Sequence, residues 1–176
     1  MARTRADVAR AAFGVLTGEG SDAVTHARVA EIAGYSKTTL YTHWPNRSDL
    51  IAVALDGLGD LPHYARTGEL RTDLIGELTI FREAVVEMRL DRVLAGMAQW
   101  ASVEEMRHIR DKINGEGQKP LRRMLEERFT GVRLEAVVSM LSGVVACPSI
   151  MFGQLPDDDT IGAAVDIVLQ SAGGRR

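Results

Sequence analysis

A chain of 176 residues, 45% hydrophobic and 26% charged, is long enough to bury a sizeable core as one compact unit or two small ones, without covalent staples. No apolar run approaches the roughly eighteen residues of a membrane span, the N-terminal Met-Ala-Arg-Thr-Arg lacks an apolar signal core, and one cysteine cannot form an internal disulfide. A reducing cytoplasm and no membrane partner are therefore expected. The formal net charge is −3, yet residues 1–55 hold six basic side chains against five acidic, and residues 56–176 hold fifteen against nineteen, which turns the N-terminal part toward a polyanion.

Ala9, Ala12, Phe13 and Leu16 recur at i, i+3, i+4 and i+7, which predicts an amphipathic first helix ending around residues 18–20. Thr25 caps a short second helix over 26–33, with Val29, Ile32 and Ala33 facing inward and Gly34 stopping it where a left-handed backbone is cheap. Ser36 caps a third helix at once. That helix starts at Lys37 and ends by Trp44, because the residue before Pro45 is pushed out of helical geometry.

Two short helices joined by Gly-Tyr-Ser have the geometry of a helix-turn-helix, whose second helix enters the DNA major groove. With Leu40 and Trp44, four apart, turned to the core, Lys37, Thr38, Thr39, Tyr41, Thr42 and His43 share the outer surface. Lysine and hydroxyl groups donate to phosphate oxygens, threonine methyls pack on thymine methyls, and Tyr41 and His43 reach a backbone phosphate from the helix end. A carboxylate here would repel the duplex, and from Ser36 onward none appears before Asp49.

The stretch VTHARVAEIAGYSKTTLYTHWPNRSDLIAVAL, residues 24–55, with the preceding helix that ends in Gly-Glu-Gly, resembles the TetR family of transcriptional regulators. The order of parts is similar: a capped helix, Ala-Gly-x-Ser, Thr-Leu-Tyr-x-His-aromatic, a short basic-polar loop, then a long linking helix. The resemblance covers about the first 55 residues. It implies that Lys37, Thr38, Thr39, Tyr41 and His43 stand on the recognition helix, that Tyr41 and His43 contact phosphate, and that Arg47 meets the DNA backbone. Thr25 and His26 then begin a helix whose amides hold a phosphate. Many members carry an acid where this chain has Arg28, and there the acid would close a capping box with Thr25. An arginine at that position opposes the helix dipole, which leaves two readings: it reaches a phosphate, or it is simply exposed. Arg3 and Arg5 are either a basic arm in a groove or a disordered terminus.

Beyond the resemblance, helical patterns cover 48–58 (Leu50, Ile51, Ala54, Leu55 and Leu58 on one side), 72–90, 91–101, 103–129, 134–153 and 158–172, with no strand-length alternation. Asn-Gly-Glu-Gly at 114–117 should break or kink its helix, since two glycines weaken it by roughly 2 kcal/mol. Val137, Leu141, Val144 and Val145, with Ile161, Val165 and Val168, read either as core or as a dimer interface, and the resemblance favours a four-helix bundle between two copies. Phe81, Met88, Met97, Trp100, Met106 and Met124 are either ordinary core or the lining of an adaptable apolar pocket.

Catalytic and metal motifs are not found. Gly-Glu-Gly-Gln-Lys-Pro lacks phosphate-loop spacing, Asp157 to Asp159 read as helix-start acids, and Cys147 reads as buried. No cofactor is implied. The expectation is an all-α protein with a helix-turn-helix DNA-binding domain at 1–47 and a helical effector-binding and dimerisation domain at 48–176. Its function would be that of a homodimeric repressor released from a double-stranded operator by a small molecule. The competing reading is a helical protein-interaction adaptor or enzyme with a helix-turn-helix-like N-terminus.

Overall fold

The computed structural model describes residues 2–56 and 61–172, and among these every regular element is helical. The helices are α1 (Ala2–Glu19), α2 (His26–Ala33), α3 (Lys37–His43), α4 (Arg47–Leu55), α5 (Leu70–Glu87), α6 (Leu90–Gln99), α7 (Arg107–Leu125), α8 (Gly131–Phe152) and α9 (Asp158–Ala172). Short 3-10 turns fill Ser21–Ala23, Trp100–Ser102 and Glu104–Met106. The chain forms two compact units. One comprises Met1–Asp60 with Arg92–Ile113, and the other Leu61–Asp91 with Asn114–Arg176.

In the first unit α1 packs along α4 and α2, and α2 against α3. The α1 stripe is Val8, Ala11, Ala12, Val15 and Leu16, with Ala9 and Phe13 at its half-buried margin. α4 is buried almost all round through Leu50, Ile51, Val53, Ala54 and Leu55. The expected extension of that helix to Leu58 lies outside the described residues. α2 buries positions 26, 29 and 30, so Ile32, expected inside, is turned off the packed face and stands 47% exposed. Arg3 and Arg5 are neither arm nor disordered: α1 begins at Ala2, and Arg5 pairs with Asp56, which Lys112 also approaches at 3.6 Å.

In the second unit α5, α8 and α9 pack on one another around Leu74, Leu78, Leu141, Val145, Ile161 and Val165. The segment 61–69 is held against α5 by two buried carboxylates one helical turn apart. Asp73 accepts from the Thr67 amide and hydroxyl, each at 2.7 Å, and from the Gly68 amide at 3.1 Å. Glu77 accepts from His63 Nδ1 at 2.8 Å and the Tyr64 amide at 2.9 Å, which gives His63 a partner that no sequence spacing announced. Between them the Tyr64 ring lies on Gly76, where a Cβ would come within 2.5 Å of ring carbons.

α7 begins at Arg107 rather than 103, behind the two 3-10 turns, and runs unbroken through residues 114–117, where a break or kink was expected, and on past Pro120. Glycine lowers helix preference without removing a backbone hydrogen bond, so the ladder persists at a cost. Asp157 caps α9 by accepting from the Thr160 amide at 2.8 Å, which accounts for one of the three consecutive acids. Cys147, expected buried, is exposed.

Candidate nucleic-acid interface

The helix pair is built by its caps. Thr25 Oγ1 accepts from the Arg28 amide at 3.2 Å, and Ser36 Oγ accepts from the Thr39 amide at 3.1 Å. Gly34 turns the chain at φ 74°, a value most side chains avoid. Asp49, the first acid after the turn, is occupied in accepting the Asn46 amide at 2.9 Å, as the start of α4.

α3 is anchored from beneath by Leu40, which is fully buried, and by Trp44 at its end. Lys37, Thr38, Tyr41, Thr42 and His43 are exposed and Thr39 is half-buried, so the outer face carries no carboxylate. Three of its hydroxyls differ in what they have to offer. Thr42 Oγ1 donates back to the Thr38 carbonyl at 2.8 Å, Thr39 Oγ1 lies 2.9 Å from Ser36 Oγ, and Thr38 Oγ1 has no partner among the described residues. A concavity of about 330 Å³ beside the helix end is lined by Ala2, Thr4, Arg5, His43 and Trp44.

Three cationic or ionisable candidates are engaged inside the unit. Arg28 donates to Glu19 from Nε at 3.0 Å and from Nη2 at 2.8 Å, and to Glu31 from Nη1 at 3.0 Å. Hydrogen bonds to Glu19 and then Glu31 push its pKa up, and those from Arg28 hold the Glu19 carboxyl below the usual range. The unfavourable dipole position is thus answered by two carboxylates. Arg47 donates to the carbonyls of Ser21 and Val24 and approaches Asp22 at 3.4 Å, bracing the turn between α1 and α2. His26 is only 8% exposed, its Nε2 is 2.6 Å from the Trp44 carbonyl, and its ring is stacked on Tyr41. Nothing in local spacing pointed to these partners, although Glu31 lies three residues after Arg28.

The family described as "Bacterial regulatory proteins, tetR family" matches residues 8–54, the stretch from mid-α1 to the end of α4. A DNA-binding transcriptional repressor TetR of Mycobacteroides abscessus is 29% identical over 178 residues, covering 90% of this chain and 87% of its own. A solved TetR family transcription regulator aligns with a TM-score of 0.68 and 28% identity, covering 95% of this chain and 97% of its own.

The chain's likeness to these proteins is that of a TetR family transcriptional regulator.

A tetR-family regulator from Streptomyces coelicolor shares the fold at a TM-score of 0.76 and 18% identity, covering 98% of this chain and 83% of its own. The helix-turn-helix of this TetR-like protein is therefore its DNA-binding element, and the remaining helices are its helical C-terminal part.

Elsewhere in this TetR-like chain, Met97, Trp100 and Met106 are buried in the first unit, with the indole of Trp100 3.1 Å from where a Cβ on Gly96 would lie. Met124 is buried and Phe81 and Met88 are half-buried in the second. Val137, Leu141, Val145, Ile161, Val165 and Val168 are buried within the chain itself, and Val144 is half-buried. α8 is apolar on its other side too. Met140, Cys147 and Met151 are exposed, as is Ile167 on α9. Among the described residues α8 alone is long and apolar enough to cross a membrane by length and composition, and no group of three or more potential metal ligands occurs.

Proposed function

We propose that this regulator is a homodimeric repressor, working in the cytoplasm, which a small molecule releases from its operator. The observation that carries the reading is the α3 surface: a helix pinned by Leu40 and Trp44 whose outer face offers lysine, hydroxyls, Tyr41 and His43, and no acid. Lys37, Thr38 and Thr39 approach base edges, Tyr41, Thr42 and His43 the backbone, and Thr25 the phosphate at the start of α2. Arg28 joins by exchanging Glu19 for phosphate, and Arg47 supports the turn from which α2 departs. The repressor sense follows the named activity of the Mycobacteroides abscessus relative.

Residues 1–47 act in this scheme as the reader and residues 48–176 as the responsive part. A second copy covers the exposed side of α8, where Met140, Val144, Cys147 and Met151 recur at i, i+4, i+7 and i+11, and with it the exposed Ile167 of α9. Isologous pairing of helices fits this arrangement, because a lone seven-residue reading helix gives little affinity. The effector is apolar or weakly polar, which the methionine- and aromatic-rich composition of the middle helices favours.

Footprinting on the DNA flanking its own gene, followed by titration at several salt concentrations, tests the reading. A protected site is expected whose affinity falls steeply with salt, with a slope that drops by about 0.9 for each phosphate-contacting lysine or arginine removed. Absence of duplex binding at low salt would sink it.

A further inference from the structure

His26 stands at the first position of α2, far from the end of α3 in sequence, yet it holds that end in two ways. The last carbonyls of a helix lack partners within it, and the residue after Trp44 is Pro45, which has no N–H to offer. His26 Nε2 lies 2.6 Å from the Trp44 carbonyl and so donates to it, which fixes the proton on that nitrogen. The same ring lies flat on Tyr41, centroids 3.9 Å apart and planes 11° from parallel. Tyr41 is nevertheless 54% exposed: one ring face is covered, and the rest of the side chain meets solvent.

We propose that His26 is a positioning residue for operator binding, which fixes the Tyr41 ring and the C-terminal end of α3 so that the Tyr41 hydroxyl is already aimed at a phosphate before DNA arrives. It does not itself touch DNA. This rests on the reading of Tyr41 as a phosphate contact. An exposed tyrosine must otherwise be ordered on binding, at a cost that corresponds to about fivefold in affinity. Here the imidazole has removed that freedom in the free protein, and because the ring is anchored to a backbone carbonyl, the direction is set by the fold rather than by a mobile neighbour.

A double-mutant cycle on the full-length protein tests this, with operator affinity read by fluorescence anisotropy on a labelled duplex and folding by thermal melting. Tyr41→Phe should weaken operator binding about fivefold in the wild-type background. His26→Ala should weaken it by a similar factor, and in that background Tyr41→Phe should cost less than twofold, because the hydroxyl is no longer delivered. His26→Phe, which keeps a ring against Tyr41, should restore most of the sensitivity to Tyr41→Phe. The slope of log affinity against log salt should not change in any of these variants. Should the alanine variant fail to fold, His26→Gln, which keeps a donor for Trp44 but no ring, takes its place with the same expectation. Equal losses for Tyr41→Phe in both backgrounds would overturn the positioning role alone. A slope lowered by loss of His26 would make it a direct contact and overturn the proposal. No effect of Tyr41→Phe in the wild type would remove the phosphate reading of Tyr41 and this inference together.

Discussion

Thr38 and Thr42 are the same residue type one turn apart on an exposed helix face, and their hydroxyls are differently committed. Thr42 spends its proton on the Thr38 carbonyl, whereas Thr38 keeps its own for an outside acceptor. Thr38→Ala should therefore lower discrimination at one operator position by about 1 kcal/mol, seen as a flattened preference in binding to a randomised duplex pool, while Thr42→Ala leaves that preference in place. The reverse pattern would exchange their roles. Arg28 and Arg47 teach a related lesson. Sequence identified both as basic groups near a DNA surface. Their actual partners are Glu19, nine residues before Arg28, and the Ser21 carbonyl, twenty-six before Arg47, and only folding brings these together.

At the level of elements, what was local was legible. Thr25, Gly34, Ser36 and Pro45 act on their immediate neighbours, so the bounds of α2 and α3 followed from them almost to the residue. The inward pair Leu40 and Trp44 was equally plain. What depends on a partner element was not: Ile32 was turned outward by the way α2 packs, and the two apolar sides of α8 could not be ranked from periodicity. The glycines of α7 were misjudged for another reason, since a helix tolerates them when the ladder on either side is intact. Gly115 and Gly117 have open space where a Cβ would stand, so Gly115→Ala should stabilise the protein by about 1 kcal/mol in urea denaturation. The clasp on α5 was invisible in sequence because Asp73 and Glu77 look like surface acids. Hydrogen bonds from Thr67, side chain first and then backbone, hold the Asp73 carboxyl below the usual range. Its folded pKa is the lower one, so its contribution is present above the unfolded value near 3.9 and is lost as pH falls through the folded one. Melting temperature should drop on acidification below about pH 4, less steeply in Asp73→Asn.

For the whole molecule, the two sides of α8 separate assembly from folding. Met140→Asp places a charge on the exposed side, and sedimentation should show helical monomers with near-normal melting. Val165→Asp buries one within the chain and should cost several kcal/mol of stability. Dimers of unchanged affinity in Met140→Asp and Ile167→Asp would remove the proposed contact. The first compact unit also returns to the chain for a second pass: residues 92–113 complete what residues 1–60 begin, with Ser21 of the first pass donating to Gln99 of the second. A reader head cut off after α4 would thus leave without Trp100 and Met106, and would shed the hydrogen bond from its own first turn. Anyone splicing this head onto another regulator's body to rewire a genetic circuit would have to graft two separate stretches of gene, and a single-junction chimera should lose heat stability before it loses the amino acids that read DNA.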